Sequence, residues 1–115
     1  MILKENSKKV EELVYRLAKT NGAEILNAYC SEGGEDYPDS YSMYIVVRFG
    51  LAIKKIRISN HTKQHKDAKE QKLLKSITVN EKTTFKDIEK FITNRIKEVK
   101  YGALYAAFDY INKCA

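Results

Sequence analysis

The strongest alternation of apolar and polar positions falls in residues 41–61, YSMYIVVRFGLAIKKIRISNH. Met43, Ile45, Val47 and Phe49 share one parity and Tyr44, Val46 and Arg48 the other, the period of two that a strand imposes. Gly50 interrupts the run and tolerates the positive φ of a tight turn, so the stretch predicts a β-hairpin at the middle of a small sheet. Past Gly50 the parity conflicts: Leu51 and Ile53 share one face, Ile56 and Ile58 the other. Either both faces of the strand are partly covered, or a bulge at Lys54-Lys55 resets the register; the bulge is the reading expected here.

Upstream, Val10, Leu13, Val14 and Leu17 recur at i, i+3, i+4, i+7 and predict an amphipathic helix over residues 5–20. Asn6 or Ser7 is the candidate cap, and Gly22 stands where a C′ glycine ends a helix. A weakly alternating strand is expected over residues 23–30. Residues 31–40, SEGGEDYPDS, predict a solvated loop. Downstream of the hairpin, residues 62–71 are polar throughout and read as an exposed loop or a short, weakly held helix. A short strand follows with Ile77 and Val79 on one face, then a turn through Asn80, Glu81 and Lys82.

The last stretch, residues 85–112, is helical, with Thr84 and Asp87 forming a capping box in which Asp replaces the usual Glu. Ile88, Phe91, Ile92, Ile96 and Val99 hold helical spacing. A straight helix this long spans ~40 Å, against a domain diameter of ~27 Å. It therefore breaks near Gly102 or projects. The plainer reading has Tyr101, Leu104, Tyr105, Phe108 and Ile111 complete the core; the other makes Tyr101, Leu104, Tyr105 and Phe108 a surface for homo-oligomer formation. The fold class expected is α+β: an N-terminal helix, a small antiparallel sheet of three to four strands with a central hairpin, and a long C-terminal helical region, in one domain spanning residues 1–115.

Composition narrows the functional classes. The apolar content of 43% is ordinary for a globular chain. No stretch approaches the ~20 apolar residues of a membrane span, and MILKENSKK lacks the apolar run of a signal peptide. Cys30 and Cys114 form no CxxC motif and have no His at ligand spacing, as expected of reduced thiols. A cytoplasmic protein without membrane contact is expected. Residues 51–75 carry eight basic and two acidic side chains, a surplus equal to the whole chain's net charge of +6. Lys54, Lys55, Arg57, Lys63, Lys66, Lys69 and Lys72 are therefore the candidate basic surface, and Glu32, Glu35, Asp36 and Asp39 form a separate acidic loop. The acidic spacing does not fit an EF-hand. His61 and His65 stand at i, i+4, but no third ligand is spaced to complete a metal site. No motif of nucleophilic, metal-dependent or nucleotide-dependent catalysis is present. The expectation is no enzyme, no cofactor and no metal.

Two resemblances bear on function. The order helix–strand–strand–strand–helix, with His65-Lys66-Asp67-Ala68-Lys69, resembles a double-stranded RNA-binding domain, whose second helix grips phosphates; the Gly-Pro-x-His element of that family is missing. The segment Ile56-Arg57-Ile58-Ser59-Asn60-His61 resembles the "kiRiSdH" strand ending of small proteins from phages and mobile elements of low-GC bacteria, with Asn60 where Asp is usual. That similarity runs from Ser40 to Ile96. It implies a non-enzymatic inhibitor of host defence, of the anti-CRISPR kind, binding a host protein or ribonucleoprotein effector. The alternative is a small basic protein contacting phosphates through residues 54–72, with Tyr41 and Tyr44 stacking on bases.

Overall fold

The computed structural model describes residues 1–62 and 75–114. The expected loop or short helix at 62–71, and Lys63, Lys66, Lys69 and Lys72 with it, fall almost wholly outside them. The elements are α1 (Leu3–Thr20), β1 (Glu24–Gly33), β2 (Tyr37–Phe49), β3 (Ala52–Ser59), β4 (Lys75–Thr78) and α2 (Phe85–Cys114). The strands form one four-stranded sheet in the order β1-β2-β3-β4. The β1–β2 and β2–β3 pairs are antiparallel and β3–β4 is parallel, so the α+β fold has a mixed sheet and not a wholly antiparallel one.

Helix α1 begins earlier than its apolar stripe, at Leu3. Ile2 holds the N-cap position without a side-chain bond. Asn6 lies inside the helix and donates back to the Ile2 carbonyl at 2.8 Å, so neither Asn6 nor Ser7 is the cap. The C-terminus follows the expected rule. Gly22 has φ +71°, its N–H donates to the Lys19 carbonyl, and the Ala23 N–H donates to Ala18 at 2.9 Å. These two bonds are the Schellman closure of a helix.

The central hairpin is regular. Ser42 through Phe49 pair with Ser59 through Ala52 without a register shift, and Gly50, with φ +60°, opens the two-residue turn. The bulge expected at Lys54-Lys55 is absent. The parity conflict resolves differently: Leu51 stands on the turn and Ile53 on the far face, both exposed, while Ile56 and Ile58 are fully buried. The bulge lies in β1, where Leu26 is skipped between the Ile25–Val47 and Asn27–Val46 pairs. It turns Ile25 and Ala28 toward the core, and it accounts for the weak alternation of that strand.

Residues 31–40 are mostly strand. The β1–β2 hairpin extends through them, with Gly34, Glu35 and Asp36 at its tip and a register shift between Glu32 and Gly33. Pro38 lies beyond the stretch of β2 that β3 pairs, so its missing N–H leaves no ladder bond unmade. A Cβ on Gly33 would meet the Tyr37 carbonyl oxygen, the Tyr37 Cβ at 2.6 Å and the Ser40 Cβ at 2.9 Å. Gly33→Ala is therefore expected to destabilise the chain by about 1 kcal/mol or more, read from urea unfolding. Gly34→Ser, with open space around it, tests the separate cost of a positive φ.

Both helices pack on the face of the sheet carrying Met43, Ile45, Val47, Ile56 and Ile58, and these residues join Val10, Val14, Ile88, Ile92 and Ile96 in one buried cluster. The start of α2 carries the expected capping box. Asp87 N–H donates to Thr84 Oγ1 at 3.2 Å, and Thr84 N–H donates to Asp87 Oδ2 at 2.9 Å. The Thr84 backbone N–H is the chief cause holding the Asp87 carboxyl below the ordinary aspartate value. A depressed folded-state pKa adds stability above the unfolded value and loses it as pH falls through the folded one. Asp87→Asn is thus expected to lower the thermal midpoint at neutral pH. That difference should vanish in acid, once the native carboxyl is protonated.

Helix α2 runs unbroken for 30 residues, straight through Gly102. Its N-terminal half supplies the core and its C-terminal half leaves the body. Tyr101, Leu104, Tyr105, Phe108, Tyr110 and Ile111 are all exposed, Tyr105 and Phe108 at 77% and 65%. The reading in which these residues complete the core is overturned, and the molecule measures 57 × 29 × 21 Å.

Candidate functional surfaces

The residues of the Ile56–His61 segment serve the fold. Ile56 and Ile58 point into the helix-covered core, and alternation sends Arg57 and Ser59 to the far face. There they build a buried polar network. Arg57 is 1% exposed. Its guanidinium donates to Ser76 Oγ at 3.0 Å, to Ser59 Oγ at 2.9 Å and to the His61 carbonyl at 3.0 Å. The Ser42 and Ser59 hydroxyls bond at 2.8 Å, and Ser42 Oγ meets His61 Nε2 at 3.2 Å. Asn60 closes the end of the hairpin, accepting from the Tyr41 N–H at 2.9 Å and donating to the Asp39 carbonyl at 2.5 Å. Buried polar groups need such partners, because each one left unpaired costs ~1–3 kcal/mol.

Arg57 therefore drops out of the basic surface. Strict alternation places it on the far face, where it is buried, and the desolvated guanidinium fastens β3 to β4. Lys54 and Lys55, adjacent in a regular strand, point to opposite faces and do not form one patch. Lys54 is exposed. Lys55 donates to Tyr29 Oη at 2.9 Å and lies over that ring, 5.4 Å from its centre.

Base stacking by Tyr41 and Tyr44 is also corrected. They occupy opposite faces and are 6% and 7% exposed. Tyr44 stacks on Tyr29 with centroids 5.1 Å apart, and burial is the chief cause raising the Tyr41 phenol above its usual value. The Ser42–His61 contact has the reach of a nucleophile–base pair. Its setting is otherwise: Ser42 is buried, and Arg57 stands on the Nδ1 side, 3.4 Å away, where a catalytic triad places a carboxylate. Among the described residues no three His, Cys, Asp or Glu side chains come together as metal ligands.

Among the described residues two surfaces remain, at opposite ends of the molecule. At one end, Glu35 and Asp36 stand on the β1–β2 tip, flanked by exposed Glu32 and Asp39. The start of α1 lies at that end, since Lys4 pairs with Glu32 at 3.4 Å. The start of α2 lies there too, since the Met1 amino group donates to the Asn80 and Glu81 carbonyls at 3.0 and 2.8 Å. The opposite end holds the Gly50 turn and the place where α2 departs. Lys100 Nζ there lies 5.7 Å from the centre of the Phe49 ring.

Beyond that contact α2 changes character. At about 100° per residue, the side turned away from Ile92, Ile96 and Val99 carries Lys90, Asn94 and Lys97 in the first half. From Tyr101 onward the same outward stripe carries Tyr101, Leu104, Tyr105, Phe108 and Ile111. The total apolar content of the helix revealed this stretch in the sequence. The reversal of face shows only against the docked half.

No protein-family model matches the chain, and no match is found among curated proteins or solved structures. The fold defines the class: an α+β protein with a four-stranded mixed sheet under two helices, the second projecting. No helix among the described residues is long and apolar enough to cross a membrane.

Proposed function

We propose that this chain is a non-enzymatic protein of the phage or mobile-element kind that binds and inhibits a host nucleic-acid-handling defence complex in the host cytoplasm. The observation that carries a binding role is the outward apolar stripe of distal α2. Small ligands are held in concave, enclosing sites. A convex helix face with several half- to three-quarter-exposed aromatic side chains suits a macromolecular partner. The defence target rests on the sequence resemblance of residues 56–61 alone, whose side chains in this chain serve the fold.

The alternative, a phosphate-binding protein, loses Arg57, Tyr41 and Tyr44 as contacts and keeps Lys54 and Lys55 with the lysines of residues 63–72. Salt separates the two readings. Phosphate binding weakens steeply as salt rises, while an apolar interface is much less sensitive. The test is a pull-down from lysate of a low-GC bacterium carrying defence systems, with and without nuclease, at low and moderate salt. A discrete protein that survives both treatments, and is lost with Phe108→Glu, is the expected result. Recovery of nucleic acid alone, released by salt, would overturn it.

A further inference from the structure

The reading of distal α2 as a binding surface is the basis for a more specific one. We propose that its occupant is a second copy of this chain, the two distal halves packing stripe to stripe and antiparallel about a two-fold axis at the level of Ala106, and that the pair so formed is what meets the host complex.

Area is the first argument. With side chains of ~200 Å² for the aromatics, the outward stripe leaves about 550 Å² of apolar surface in water per copy. That is at the upper end of the largest patch on a typical monomer, ~300–600 Å². A two-fold pairing would remove at most about 1,100 Å², near the lower bound of specific interfaces, as suits a reversible dimer.

Charge is the second. The stripe from Tyr101 to Ile111 has no ionised side chain. The charges nearest it on the distal half, Asp109 and Lys113, pair with each other at 3.3 Å. An acidic or basic partner would find no complement here, whereas a neutral apolar stripe complements itself. The antiparallel sense follows from the net charge of +6. It sets the two bodies at opposite ends of an overlap of roughly 15 Å, beyond a Debye length of ~8–10 Å at moderate salt. In this register Tyr101 of one copy lies opposite Ile111 of the other, and Leu104 and Tyr105 lie opposite Phe108. A lipid surface fits less well. Interfacial helices line their polar face with Lys and Arg, and the other side of distal α2 carries Ala103, Ala106, Ala107 and Tyr110.

Analytical ultracentrifugation of the purified chain over a wide concentration range tests this. The expected result is a reversible dimer, with Phe108→Glu raising its dissociation constant about 30-fold or more and leaving the circular dichroism unchanged. A second variant guards against misfolding of the first: Tyr105→Cys in a Cys30→Ser, Cys114→Ser background should form an intermolecular disulfide under mild oxidation, and Lys90→Cys should not. A wild-type chain that stays monomeric overturns the proposal, as does a dimer indifferent to Phe108→Glu or sedimentation only with anionic vesicles. A monomer that still captures a lysate protein through Phe108 would sink the two-copy arrangement and leave the binding surface standing. A monomer that captures nothing would remove both.

Discussion

Arg57→Ala is expected to cost about 3 kcal/mol or more in urea unfolding, a large share of the ~5–15 kcal/mol that holds a domain together. The loss has two parts. The side chain is among the largest fully buried ones, so truncation opens a cavity. It also takes a donor from the half-buried His61 carbonyl and Ser76 hydroxyl and from the buried Ser59 hydroxyl, which keeps Ser42 and the His61 N–H as partners, and polar groups shielded from water are costly to strand. Arg57→Lys should recover only part of the loss, because an ammonium cannot reproduce the planar fork that reaches Ser76 on one side and Ser59 on the other. Lys54→Ala is the control. It removes an exposed cation three residues away and should stay within ~0.5 kcal/mol. Equal effects at the two positions would mean that Arg57 is a surface cation after all.

The second large effect lies within α2. Ile96→Ala should cost ~2–5 kcal/mol, since Ile96 is fully buried against the sheet and its removal leaves a cavity. Phe108→Ala deletes a larger side chain from the same helix, yet should change monomer stability by no more than ~0.5 kcal/mol. The comparison is made at concentrations low enough to exclude self-association, because an oligomer's apparent stability depends on concentration. A comparable loss at both positions would show that the distal half is docked, and the exposed stripe would lose its claim to be a binding surface.

Much of this architecture can be read from local pattern. The helix stripe Val10, Leu13, Val14, Leu17, the glycine closing α1, the Thr84–Asp87 box and the Gly50 turn each depend on neighbours within a few residues. Their chemistry is therefore visible in a short window. Even the weak alternation of β1 was informative, being the trace of a bulge at Leu26. A bulge at Lys54-Lys55 would be needed only if Leu51 and Ile53 shared the buried face of Ile56 and Ile58. Leu51 and Ile53 are exposed, and a regular strand accommodates them.

The candidate surfaces were less legible, for a related reason. Charge counted along the chain does not report which face a side chain takes. Arg57 sits in a basic run but between two core isoleucines, so alternation places it opposite them on the far face, where the Ser59 and Ser76 hydroxyls and the His61 carbonyl accept from it. Tyr41 and Tyr44 read as aromatic platforms, yet both faces of central β2 are covered at those positions.

By itself the sequence determined the element order, the caps and turns, and the set of apolar positions from which the core was drawn, because periodicity and local hydrogen bonding act over a few residues. Only the tertiary structure decided which apolar residues are core and which are surface. Ile96 and Phe108 are equally helical and equally apolar in the chain. What separates them is face and place: Ile96 lies on the side of α2 turned to the sheet, whereas Phe108 lies on the outward side and past Lys100, where no described element of the chain flanks the helix.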